Sequence, residues 1–156
     1  MSKICLFVLP KAKGRYYEIV SQIEPFLRKN GVFPFWGITY QEPIFKKIDV
    51  NDSIILSIAD DGLYNNCDYF LLPDNCSING CENEIPFFKR MRIIQNVLQE
   101  LSKYCSNIEL FIADSGCGYD EYEECQLDIL DFVDCSNCLN SLSPPDIHFV
   151  FKARDK

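Results

Sequence analysis

Six consecutive apolar residues, Ile4-Cys5-Leu6-Phe7-Val8-Leu9, closed by Pro10, constrain the fold more than any other feature of the chain. A run this short and continuous suits a strand buried on both faces, which belongs in the middle of a sheet. Tyr16, Ile19, Val20, Ile23, Phe26 and Leu27 then recur at helical spacing, with Gly31 as a natural stop. They predict a first helix in which Pro25 brings a kink or a shifted boundary.

Segments 32–40, 53–59 and 68–72 read as strands without a long helical interval, which predicts antiparallel pairing. Pro34 and Gly37 demote the first to an edge or bulged strand, and Asp60-Asp61-Gly62 with Asn65-Asn66 predict a hairpin between the other two. The clearest element is a helix over 84–105, where Phe87, Met91, Ile94, Leu98, Leu101 and Cys105 form one stripe and Pro86 fits the first turn. Strands are expected at 108–113 and, beyond Pro144-Pro145, at 147–151. The sum is an α+β or α/β fold, a single mixed β-sheet of about five to six strands flanked by about two to three helices. With 156 residues, 47% of them hydrophobic, the chain is long enough for one core, and one domain over 1–156 is expected.

Charge is distributed unevenly. Residues 1–103 carry 12 basic and 12 acidic side chains, whereas 104–151 carry 10 acidic and no basic ones, so the net charge of −8 belongs to the last third. Asp114, Asp120, Glu121, Glu123, Glu124, Asp128, Asp131 and Asp134 crowd one stretch, and a helix over 120–133 would put most of them on one side. Like charges three and four apart repel by a few tenths of a kcal/mol per pair. A helix needing only solubility would interleave Lys, so the ridge reads as kept for a partner, against the plainer reading of a solvated helix face. A strand beginning near Leu127 is the other reading of the period. A concentrated negative field steers cationic partners. It argues against direct nucleic-acid binding, which needs Lys and Arg on phosphates.

Chemical motifs are weak by comparison. Asp114-Ser115-Gly116-Cys117-Gly118 lacks the alternating acids of a calcium loop and the glycine spacing of a nucleophile elbow. Nine cysteines without a signal peptide argue against a disulfide framework, and Cys5 and Cys105 fit as small core hydrophobes. Cys135-Ser136-Asn137-Cys138 is a lone CxxC; joined to Cys76 and Cys81 it would make a four-thiolate zinc site, but it lies among carboxylates that disfavour thiolates. His148 is the only histidine, set to face solvent or the second face of the sheet. No enzyme, cofactor or metal is assigned. The chain has no run of the roughly 18–20 apolar residues that spans a bilayer, and a cytoplasmic location is expected.

A small, acidic, cysteine-tolerant α/β chain with the ridge Asp120-Glu121-Tyr122-Glu123-Glu124, continued by Asp128, Asp131 and Asp134, resembles the immunity proteins of bacterial polymorphic toxin systems, including contact-dependent growth inhibition. The resemblance covers size and character rather than a motif. It implies a cognate toxin domain as partner, often a basic nuclease, with carboxylates standing where the toxin expects phosphates. It also implies that Tyr119, Tyr122 and Tyr64 serve as aromatic anchors, with Asp114 at the margin. The alternatives are an acidic adaptor or regulatory domain with another basic protein partner, and a cysteine-rich zinc or thiol protein.

Overall fold

The computed structural model describes residues 3–34, 46–58, 70–74, 77–78, 81–82, 85–114 and 122–152. Among them, one mixed sheet of six strands and three helices make an α+β fold. In chain order the elements are β1 (Lys3–Leu9), α1 (Tyr16–Lys29), β2 (Val32–Pro34), β3 (Ile54–Ile58), β4 (Ser77–Ile78), β5 (Cys81–Glu82), α2 (Phe87–Leu101), β6 (Asn107–Asp114), β7 (Glu123–Leu127), α3 (Phe132–Cys135) and β8 (Ile147–Lys152). The sheet order is β2-β3-β1-β6-β8-β7, while β4 and β5 pair separately. Every pairing in the large sheet is antiparallel except that of β7 with β8.

The apolar run does what its composition demands. β1 lies between β3 and β6, with Phe7 beside Leu56 and Leu110. Side chains alternate across a strand, so Cys5, Phe7 and Leu9 join the core formed with Ile19, Ile23 and Leu27 of α1 and Met91, Ile94 and Leu98 of α2. Leu6 and Val8 face the other way and meet Phe111 of β6, under Ile48 and Val50 from the segment before β3. Cys105 is also buried, as a small hydrophobe.

α1 runs through Pro25 to Lys29. Pro25 is on the solvent side, where water can take the Ser21 carbonyl that its missing N–H leaves open. Asn30 stops the helix by donating from Nδ2 to the Phe26 carbonyl at 2.8 Å, and Gly31 follows at φ 74°, a left-handed conformation that suits glycine. α2 is shorter than its apolar stripe. Pro86 is the N-cap, and Asp74 Oδ1 accepts from the Phe87 N–H at 3.1 Å, supplying from elsewhere the cap that proline cannot.

Two expected elements are corrected. Residues 70–72 form a turn and an irregular segment, because Arg90 takes the Phe70 carbonyl at 2.6 Å instead of leaving it to a ladder. Residues 123–127 are strand, not helix, and that strand ends at Leu127 where one was thought to begin. The hairpin expected over 60–66 lies outside the described residues. No helix of the described residues is long and apolar enough to cross a membrane.

Candidate functional site

The acidic stretch is built on the last strand of the sheet. The Glu123 N–H donates to the Asp146 carbonyl at 2.9 Å, and β7 then runs parallel to β8, Cys125 beside Phe149 and Leu127 beside Phe151. Cys125 and Leu127 turn inward against the core, together with Ile129. A helix over the same residues would crowd carboxylates at positions three and four apart. The strand instead sends Glu123 and Glu124 to opposite faces and gives its backbone groups partners in β8. The expected one-sided ridge therefore becomes a rim, with Glu123 toward the helical face, Glu124 toward the other and both exposed.

After β7 the chain turns twice. Asp128 is committed to the first turn, where its Oδ1 accepts from the Leu130 N–H at 3.0 Å and caps the 3-10 turn Ile129–Asp131. It is an architectural cap, not a free carboxylate of the rim. α3 follows, held to α2 by the Val133 N–H, which donates to Gln95 Oε1 at 3.3 Å, and to the sheet by Phe132, which is fully buried. Asp131, the N-cap of α3, and Asp134 within it stay exposed, as does Leu130 just before them, at 54%.

Of the other expected site residues, Tyr122 is half-buried, and its ring meets Phe111 edge-on at 5.8 Å, closing the second face of the sheet. Asp114 ends β6 with Lys3 as its register partner. Tyr64, Tyr119, Asp120 and Glu121 lie outside the described residues. The structure thus leaves Glu123, Glu124, Asp131 and Asp134 exposed on the edge strand and the turns after it, Glu124 on the opposite face from Glu123, and gives Tyr122 and Asp128 structural work.

The CxxC pair sits beside this rim, both cysteines exposed and unbridged. Burial first, then Cys125, Asp131 and Asp134, push the Cys135 thiol pKa up. Cys138 is pushed up by burial, opposed by a backbone hydrogen bond and reinforced by Glu123 and its neighbouring cysteines. Cys138 Sγ donates to the Cys135 carbonyl at 3.4 Å. A raised pKa keeps the thiol protonated to higher pH, so these cysteines are poor nucleophiles at neutral pH. Alkylation by iodoacetamide at about pH 7.5 is expected to run slower than that of an unstructured cysteine peptide, whose thiol titrates near about 8.5, with the gap closing at more alkaline pH. Equal or faster alkylation would contradict it.

Among the described residues no group of three His, Cys, Asp or Glu could hold a metal ion. The Cys76 member of the four-thiolate set and the Cys81 side chain lie outside them.

Sequence reasoning did not anticipate a polar cluster on the sheet's second face. His148 Nε2 stands 2.7 Å from Glu109 Oε1, its Nδ1 stands 3.1 Å from Lys47 Nζ, and its ring stacks on Phe111 at 4.0 Å. The tautomer that satisfies both contacts donates its Nε2–H to Glu109 and accepts at Nδ1 from Lys47. The imidazole itself is 2% exposed. The available signal was the alternation of the last strand, which opposes His148 to Phe149. Lys47, 101 residues away in sequence, left none.

No family model, curated protein sequence or solved structure matches this chain.

Proposed function

We propose that this chain is an immunity protein that binds and neutralises a basic toxin domain through the rim formed by Glu123, Glu124, Asp131 and Asp134. The observation that carries the reading is the concentration of exposed carboxylates on the terminal strand and the turn after it, in a stretch (104–151) with no lysine or arginine. Such a field raises the encounter rate with a cationic surface, and the exposed Leu130 beside Asp131 offers an apolar contact. The carboxylates set rate and specificity, while apolar burial lengthens residence. Binding, with no chemistry performed on the toxin, is the whole of the proposed activity.

The test is co-expression with the C-terminal domain of a large secreted protein encoded immediately upstream, scored by survival and co-purification. Rescue with a stable complex is the expected result, and a toxic neighbour that is neither rescued nor bound would sink the proposal. In that complex, changing Glu123, Glu124, Asp131 and Asp134 together to Lys is expected to slow association at least about tenfold at low salt, with the circular-dichroism spectrum unchanged. An unaltered rate would move the contact to another surface.

A further inference from the structure

A cavity of about 200 Å³ opens on the second face of the sheet, away from β7, between the start of the chain after β1 and the segment before β3. Val8, Pro10 and Ile48 give it an apolar part, and Lys11, Lys47 and Glu109 are among its charged lining residues. A single water needs only about 10–15 Å³ and drug-sized ligands about 300–1,000 Å³, so the space fits a small metabolite.

Glu109 gives the cavity its directional element. One carboxylate oxygen, Oε1, is taken by His148, which is clamped in turn by Lys47 and by the stacked Phe111. The other oxygen, Oε2, has no hydrogen-bond partner among the described residues, and the side chain is 26% exposed. A half-buried carboxylate is thus held in one orientation with an open acceptor at the cavity. Lys11 stands in the same lining with no ion pair among the described residues, at a positive φ of 59°. A purely anionic guest would meet Glu109, Asp49 and Asp52, and a purely cationic one would meet the two lysines. A guest that carries both charges satisfies both sets.

We propose that this cavity binds a small zwitterion of amino-acid size, its ammonium group on Glu109 Oε2 and its carboxylate toward Lys11 and Lys47. The fixed carboxylate lowers the ordering cost of binding, because His148 has already immobilised it. The site is separate from the acidic rim and does not depend on the toxin-binding reading.

The experiment is an NMR titration of the full chain with each standard amino acid up to about 10 mM, tenfold above the roughly millimolar limit of weak specific binding, with acetate and methylamine as half-ligands. At least one amino acid is expected to perturb resonances of residues 8–11, 47–53 and 109 saturably, and neither half-ligand to match it. Glu109→Gln keeps an oxygen for His148 but removes the charge, and it is expected to weaken binding at least about tenfold. Lys11→Glu is expected to do the same by repelling the carboxylate. The proposal is overturned if no amino acid binds, if acetate or methylamine binds as well as the zwitterion, or if both variants, shown folded by their spectra, bind like the parent protein.

Discussion

Replacing Phe132 with alanine is expected to destabilise the protein by about 3–5 kcal/mol, the range for removing a large aromatic from a core. Phe132 is fully buried and packs edge-on against Phe149 at 5.2 Å and Phe151 at 6.0 Å, two of the inward residues of β8. Each such aromatic pair adds about 0.5–1.5 kcal/mol beyond the area it buries. The helix that carries it, α3, has four residues and no strength of its own, because isolated helices below about 12–15 residues are marginal in water. Its position between α2 and the sheet therefore rests on this ring and on the Gln95 contact to the Val133 N–H.

Urea denaturation measures the effect. With a slope of about 2 kcal/mol per molar, the expected loss moves the midpoint by about 1.5–2.5 M. A shift below about 0.5 M would mean that the surrounding side chains close the void and that Phe132 is not the anchor. Because Asp131 caps the same short helix and Asp134 lies within it, the substitution should also weaken partner binding at concentrations of denaturant where the protein is still folded.

What could be read from the sequence was whatever local pattern decides. Ile4 to Leu9 announced a central strand because no polar residue interrupts them, and the stripe from Phe87 to Leu101 announced a helix because its spacing admits no other period. The edge position of the strand opening at Val32 followed from Pro34, which cannot donate to a ladder. The antiparallel pairing of β2 with β3 followed from the lack of a helical pattern in the sequence between them.

The acidic stretch was misread because tertiary pairing overrode its local pattern. Tyr122, Cys125 and Ile129 fit a helical face as well as a sheet does. The decision belonged to β8, a strand twenty residues downstream whose backbone groups and phenylalanines make the extended form of residues 123–127 the better buried one. Asp128 looked like one more carboxylate of a ridge, although an Asp ahead of Ile-Leu is also the signature of a cap. The Lys47, Glu109 and His148 cluster was invisible for a different reason, since it joins three segments and no single one of them carries a motif.

Arg90 presents the same difficulty in stability terms, since nothing local distinguishes it from the solvated lysines and arginines around it. Its replacement by alanine is expected to cost about 3 kcal/mol, within the range for breaking a buried charged network. The side chain is 2% exposed and the largest among the fully buried ones. Its Nε donates to the Ile85 carbonyl at 2.9 Å and its Nη1 to the Phe70 carbonyl at 2.6 Å, while Nη2 stands 3.8 Å from Asp74 Oδ1. Burial lowers the guanidinium pKa and Asp74 opposes that shift, and the hydrogen-bond acceptors around the group offset the cost of burying its charge. Alanine would remove the arginine's hydrogen bonds to the Ile85 and Phe70 carbonyls, and would open a void beside the Phe87 ring that the guanidinium now covers at 5.2 Å.

The pair with Asp74 contributes less. Asp74 is 44% exposed, so water can replace the arginine, and Asp74→Asn keeps an oxygen for the Phe87 N–H. That change is expected to cost below about 1 kcal/mol. Arg90→Lys should fall between the two, because a single ammonium cannot reproduce the fork that reaches Ile85 and Phe70 together. The order Ala, Lys, Asn in descending cost, measured by equilibrium unfolding, locates the stabilisation in the backbone carbonyls. If Asp74→Asn costs as much as Arg90→Ala, the ion pair carries it instead, and the segment from Phe70 to Asp74 is held by charge and not by its hydrogen-bonded backbone.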